Sequence, residues 1–282
     1  MNTKKRKDYK IFLFFLLIPV FLLAKPYIIN QNPHNAEAVL VFENEKPKYV
    51  KAFGKIVPFY KTITNKQYKY YALIPVRYRT KPGLYKLKIV YQDKVKTYNV
   101  KVSWGNYKKE KLRVAKKLVY PPKSVLKRIR SEYKEAMKIY GSVIPEALWK
   151  HKFSLPLDSY ITSPFGSARV FNDKVKSFHT GLDFRAKTGT PVKASNDGVV
   201  VLAKNRYFAG NSVIISHGRG IYTCYYHLSK INVKKGESVK KGQVIGLSGK
   251  TGRVTGPHLH FTTWLQGVIV NPKVLISLLN QI

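Results

Sequence analysis

Three short histidine-bearing pieces in the C-terminal half constrain this chain more than any other feature. They read His179-Thr-Gly-Leu-Asp183, Tyr226-His227-Leu228 and Gly256-Pro-His258-Leu-His260-Phe261, separated by short apolar runs punctuated with glycine. In His258-Leu-His260 the spacing is i, i+2. On a strand this puts both imidazoles on one face and turns Leu259 to the other. Pro257 suits the start of such a strand, and Phe261-Thr-Thr-Trp264 continues it with β-favouring residues. Two histidines then aim side by side into one cleft. His179 and Asp183 are spaced for a helical turn, but Gly181 and the following Thr188-Gly-Thr-Pro191 argue for a loop entering a short strand. A lone histidine, such as His217 between the motifs, is an ordinary core or surface residue. A His-X-His preceded by a His-X3-Asp in the same domain points instead to a metal site, since imidazole and carboxylate are common metal ligands.

These pieces, framed by Ser163-Pro-Phe-Gly166 and Gly189-Thr-Pro-Val192, resemble the M23 family, the lysostaphin-type or LytM-type zinc peptidases that cut peptidoglycan peptides. The resemblance runs from about Pro156 to Pro272. It implies one Zn²⁺ per chain with His179, Asp183 and His260 as ligands, and it gives His227 and His258 catalytic roles. The roles preferred are His258 as base for the attacking water and His227 as oxyanion donor, with the exchange of the two left open. Many members carry two adjacent arginines where this chain has Ala168-Arg169. No ligand is lost by that departure; it bears on packing or substrate preference at one edge of the cleft.

The flanking sequence sets the context. Lys4-Lys-Arg-Lys7 precedes an apolar run from Ile11 to Ala24. That run is shorter than the roughly 20 residues of a spanning helix, so residues 1–24 are expected to be a signal peptide or an inner-membrane anchor. From about 25 to 105 the pattern alternates with period two, as in Tyr85, Leu87, Ile89, Tyr91 and in Tyr98, Val100, Val102, Trp104. A small β-sandwich is expected there, resembling the immunoglobulin-like region that precedes some M23 peptidase domains. It holds no cluster of ligands or nucleophiles, and His34 stands alone. Over 106–150 the recurrence of Leu126, Ile129, Tyr133, Met137 and Tyr140, ended by Gly141, predicts an amphipathic linker helix packed on a neighbouring domain.

Residues 151–282 form the expected peptidase domain. The fold class is therefore mainly β: an N-terminal small β-sandwich, a linker helix and a C-terminal LytM-type antiparallel β domain. The single cysteine, Cys224, excludes an intramolecular disulfide and lies in an apolar strand pattern, so it is expected to be a buried core thiol. The formal net charge of +38 attracts polyanions. No nucleic-acid module accompanies it, which favours an anionic envelope polymer or membrane surface over specific nucleic acid.

The expected function is zinc-dependent hydrolysis of peptide cross-links in peptidoglycan, in the periplasm or cell envelope. The alternative is a non-catalytic LytM-like regulator that binds and activates another wall hydrolase, though such domains typically lack ligand residues that are all present here. A further expectation is that the segment between about 25 and 140 docks on the peptidase domain and restricts access to the zinc cleft.

Overall fold

The computed structural model describes residues 26–63, 67–112, 120–171 and 175–282. The expected leader or anchor lies outside these residues. No helix among the described residues is long and apolar enough to cross a membrane.

Two strands explain how the two ends of the chain are joined. Ala38–Glu43 is buried along its whole length, and Tyr70–Pro75 everywhere after its first residue. Their side chains alternate between two cores, as the period of a strand requires. Val39, Val41, Ala72 and Ile74 meet Val50, Val57, Leu87, Ile89 and Val100. Ala38, Leu40, Phe42, Tyr71 and Leu73 point the other way, onto Trp149, Phe153, Leu265, Val268 and Leu275. The N-terminal region is thus a sandwich of two four-stranded sheets. One is ordered Tyr27–Ile29, Ala38–Glu43, Tyr70–Pro75, Tyr60–Lys61; the other is Lys55–Pro58, Tyr49–Ala52, Gly83–Val90, Val95–Val102. The second sheet exposes one face and shows the polar alternation seen in the sequence. The first is covered on both faces and reads as continuous apolar runs.

The C-terminal region is built on a sheet whose central strands are antiparallel neighbours in the order Ile161–Ser163, Leu182–Arg185, His258–Leu265, Ile221–Leu228, Gly210–Ser216, Gly198–Arg206. Val268–Val270 folds back on the far end of His258–Leu265. A smaller sheet of Pro191–Lys193, Val244–Leu247 and Lys230–Ile231 packs beside it. Both Lys-Lys-Gly turns place their glycine at positive φ, +87° at Gly236 and +81° at Gly242. The chain ends in a helix, Pro272–Leu279, capped by the Asn271 side chain, which accepts from Lys273 N.

The expected linker helix spans Lys123–Gly141. Its burial differs from the expected stripe. Ala136 and Tyr140 are buried, whereas Tyr133 is 64% exposed. The helix lies on the sheet by its C-terminal turns, where Tyr140 stacks on Trp264 with ring centroids 4.0 Å apart. Before it, Lys109–Leu112 joins the peptidase region as a parallel partner of Ala168–Phe171, which itself pairs with Val175–Phe178.

Candidate active site

Strand register assembles the site. Asp183 pairs with His260, and His260 pairs with Tyr226 on the next strand. One rung across three strands therefore carries the aspartate, the second histidine of His-X-His and the residue before His227. Gly181 makes the approach possible. A Cβ there would run into Phe261 O and come within 2.8 Å of His260 Nε2, so no larger residue fits at that position.

His179, Asp183 and His260 are all buried and converge. Asp183 Oδ1 lies 2.9 Å from His179 Nε2 and 2.7 Å from His260 Nδ1, and those two nitrogens are 3.1 Å apart. The tautomer of His179 follows from its other nitrogen. Nδ1 is 2.7 Å from Pro164 O, a pure acceptor, so Nδ1 carries the hydrogen and Nε2 turns a lone pair towards the carboxylate. A lone pair facing a carboxylate at this distance calls for a cation between them. Two imidazoles and one carboxylate are a donor set that leaves a tetrahedral divalent ion an open fourth position, so the residues fit a catalytic metal.

The surroundings hold the carboxylate charged. Burial acts to raise the Asp183 pKa, but the adjoining His179 and His260 rings outweigh it and keep the group well below the usual carboxylate range. Its second oxygen, Oδ2, accepts from Arg169 Nη2 at 3.1 Å, and the same guanidinium nitrogen donates to Ser163 Oγ at 2.9 Å. The arginine retained after Ala168 is thus the one that orients the aspartate. Tyr226 stacks on the His260 ring, 5.7 Å between centroids and 6° from parallel, and its hydroxyl meets Tyr140 of the linker helix at 2.8 Å. Such supporting contacts fix ligand orientation.

His227 and His258 stand at the mouth of the same cluster, their ring centroids 5.0 Å apart. His258 donates Nδ1–H to Gly256 O at 2.9 Å, leaving Nε2 free and 3.7 Å from Asp183 Oδ1. His227 donates Nδ1–H to Thr251 O at 2.8 Å, so its Nε2 is free as well. Burial, with smaller contributions from the neighbouring histidines, pushes His227 down to about 3. Its backbone is left-handed, φ 64°, beside a pairing irregularity between Asn211 and Val213 on the adjoining strand. Bulges of this kind re-aim side chains next to active sites.

All five histidine and aspartate residues singled out from the motifs line one cleft of about 570 Å³, with Arg253, Phe208 and Phe178 among its walls. His217 is a core residue, held by Asp197 O at 2.7 Å and Thr223 Oγ1 at 2.8 Å, and burial lowers its pKa to about 4. Cys224 is fully buried, and burial raises its pKa to about 12, as suits an inert core thiol. His34 is an exposed loop residue beside Glu37. The sequence reading gave no role to Ser163 or Tyr226, whose parts here depend on tertiary stacking and hydrogen bonding. Each nonetheless sits in or beside a motif.

The described residues that line the cleft all fall between 162 and 260. The sandwich, expected to dock and to cover the cleft, does dock, chiefly at the Leu265–Val270 end of the sheet, while its Ala36 and Tyr78 pack with the core that holds Leu182 and Phe261. Its Tyr78 touches the cleft wall from behind, stacked on Phe178 at 3.7 Å.

Comparison with known proteins agrees with this geometry. Residues 177–272 match the family model of peptidase family M23. A crystal structure of a peptidase M23 from Pseudomonas aeruginosa aligns over 88% of this chain and 96% of that one, with 30% identity and a TM-score of 0.69. The chain belongs to peptidase family M23. As an M23 member it shares more than the catalytic segment with that structure, because the alignment takes in the N-terminal region too. The peptidoglycan DD-endopeptidase ShyA of Vibrio cholerae is 58% identical over 119 residues, covering 41% of this chain and 28% of ShyA. The DD-carboxypeptidase/endopeptidase Mpg of Neisseria meningitidis is 45% identical over 112 residues, covering 40% of this chain and 26% of Mpg. The chain thus spans less than a third of the length of these curated relatives.

Proposed function

We propose that this chain is a zinc-dependent endopeptidase that hydrolyses peptide cross-links of bacterial peptidoglycan in the cell envelope. The observation that carries the reading is the convergence of His179, Asp183 and His260 on one point, with the free Nε2 of His258 aimed at it across an open cleft. The names of ShyA and Mpg support peptidoglycan as the substrate class.

In this reading His179 Nε2, Asp183 Oδ1 and His260 Nδ1 hold the zinc. Bound there, the ion would lower the pKa of a water to roughly 7 and polarise the scissile carbonyl. The protein's own groups handle the protons. His258, with Nδ1–H donated to Gly256 O, turns Nε2 towards the cluster, where the neutral ring takes a proton from the attacking water. That proton is then available to the leaving amine. His227 stands beside His258, with its Nδ1–H committed to Thr251 O. Donation from His227 Nε2 to a developing oxyanion would need a second proton on that ring, which its burial opposes, so the neutral ring acts as a proton acceptor beside His258. Arg169 keeps the Asp183 carboxylate turned so that Oδ1 faces the histidines.

Digestion of purified sacculi, with mass analysis of the products, tests the reading. Soluble muropeptides cut within the cross-link, and loss of their release with chelator, are expected. Intact cross-links after incubation with zinc-loaded protein would transfer the chain to the regulator class.

A further inference from the structure

Beside the catalytic cleft, the linker helix and the loop after Gly198–Arg206 border a second cavity of about 480 Å³, walled by Ile129, Arg130, Glu132, Tyr133, Lys134, Arg206 and Phe208. Phe208 and Ala209 line both spaces, so the two are neighbours across that loop. Farther along the helix a groove of about 660 Å³ continues over Lys123, Leu126, Lys127 and Ser131, and shares Arg130 and Lys134 with the second cavity.

The charge along this path is one-sided for a structural reason. The helix holds two acids, Glu132 and Glu135. Glu132 accepts from Tyr207 N at 2.9 Å and pairs with Arg128 at 2.7 Å; Glu135 pairs with Lys204 at 2.7 Å. Both are engaged at the contact with the strand and loop. Lys123, Lys127, Arg130 and Lys134, spaced by four, three and four, form a single stripe with no acidic partner among the described residues. At ~1.5 Å per residue the stripe runs roughly 16 Å, enough to lie along about five residues of extended peptide. Beside its C-terminal end, on the side of Phe208, stands Tyr133, 64% exposed although it belongs to the helix's apolar series.

We propose that this helix face extends the substrate groove and takes the carboxylate-bearing stem peptide, with its attached sugar, beyond the amide held in the cleft. The inference rests on the reading of the cleft as acting on peptidoglycan peptides. Cationic side chains pair with peptide carboxylates, and the ring faces of Phe208 and Tyr133 pack on aliphatic or sugar C–H surface. An exposed tyrosine between a basic stripe and a catalytic cleft has a use in such a groove.

Two substrates with the same scissile amide test this. One is a cross-linked muropeptide dimer carrying its sugars and carboxylates; the other is a short peptide with capped, uncharged ends. In the K127E/R130E/K134E variant the ratio of kcat/KM, dimer over short peptide, is expected to fall about tenfold or more, and to recover towards wild type at about 0.5 M salt. Tyr133→Ala is expected to lower the same ratio severalfold, without the salt dependence. A K86E/K88E/K101E variant, the same charge change on the exposed face of the sandwich, is expected to keep the wild-type ratio. Equal ratios in the helix and sandwich triples overturn the proposal. So does a helix triple that loses binding to phosphatidylglycerol vesicles while its substrate ratio stays put, which makes the stripe a membrane face. If wild type cleaves neither substrate, the reading of the cleft fails by itself. Co-sedimentation with intact sacculi then judges the helix face: release of the helix triple alone supports it, and equal retention of both triples overturns it.

Discussion

The strand His258–Leu265 has two unlike ends, roughly 23 Å apart at ~3.3 Å per residue. At one end His258 and His260 face a polar cleft with Asp183, His179 and His227. At the other, Leu265 is buried in a core shared with Leu40 and Phe42 of the sandwich. The cleft end buries a carboxylate and several imidazoles, which costs stability unless every group is paired or bound to an ion. The docked end is apolar, and its burial offsets that cost. The sandwich thus contributes by holding the sheet's far end, and none of its described residues lines the cleft.

Breaking the docked end should produce the largest effect. Leu40→Ala removes a fully buried side chain between the two regions and should lower unfolding stability by about 2–5 kcal/mol, read from denaturant midpoints. Per folded molecule, its activity should match wild type. Lost activity without lost stability would mean that the two ends are coupled, contrary to this account.

Breaking the cleft end should do the opposite. His258→Ala and His227→Ala should each cost about a hundredfold or more in rate, equal to about 2.7 kcal/mol of barrier, with unfolding unchanged. A variant with wild-type rate removes that residue from the chemistry.

Tyr140→Phe probes the link between the ends. It deletes the hydroxyl that meets Tyr226 at 2.8 Å, and Tyr226 stacks on His260. A loss of about 1–2 kcal/mol is expected, with weaker metal retention under chelator competition. Unchanged retention would confine the helix to a structural role.

The smallest effect concerns Glu43, buried and hydrogen-bonded by Tyr91 Oη. Burial raises its pKa above the ordinary value. The folded state therefore favours the protonated form. That contribution is present in full below the unfolded value of about 4.3 and is lost as pH rises through the folded one. Glu43→Gln should gain stability over wild type at pH 7 and none at pH 4; a constant difference across that range contradicts the assignment.

Much of the cleft end was legible in the sequence. His-X-His on a strand and His-X3-Asp across Gly181 carry their geometry in their spacing, and the structure brings them together with His227 as expected. The docked end was less legible. Ala38–Glu43 serves two cores at once, so its apolar run carries no alternation to interpret. Lys109–Leu112 joins a sheet through backbone hydrogen bonds, which Lys-Glu-Lys-Leu does not announce. Pro272–Leu279 did carry a start signal, Asn271-Pro272, that the motif reading passed over. The helix lies within the expected 106–150 segment and packs on the sheet, but only part of its apolar stripe is buried. Its last turns pack on the sheet, while Tyr133 lines the groove beside Phe208.

Zinc content per chain tests the central claim most directly. Elemental analysis of purified protein should give one zinc in wild type, His227→Ala and His258→Ala, and little in His179→Ala, Asp183→Ala or His260→Ala. Full zinc occupancy in His260→Ala would contradict the account.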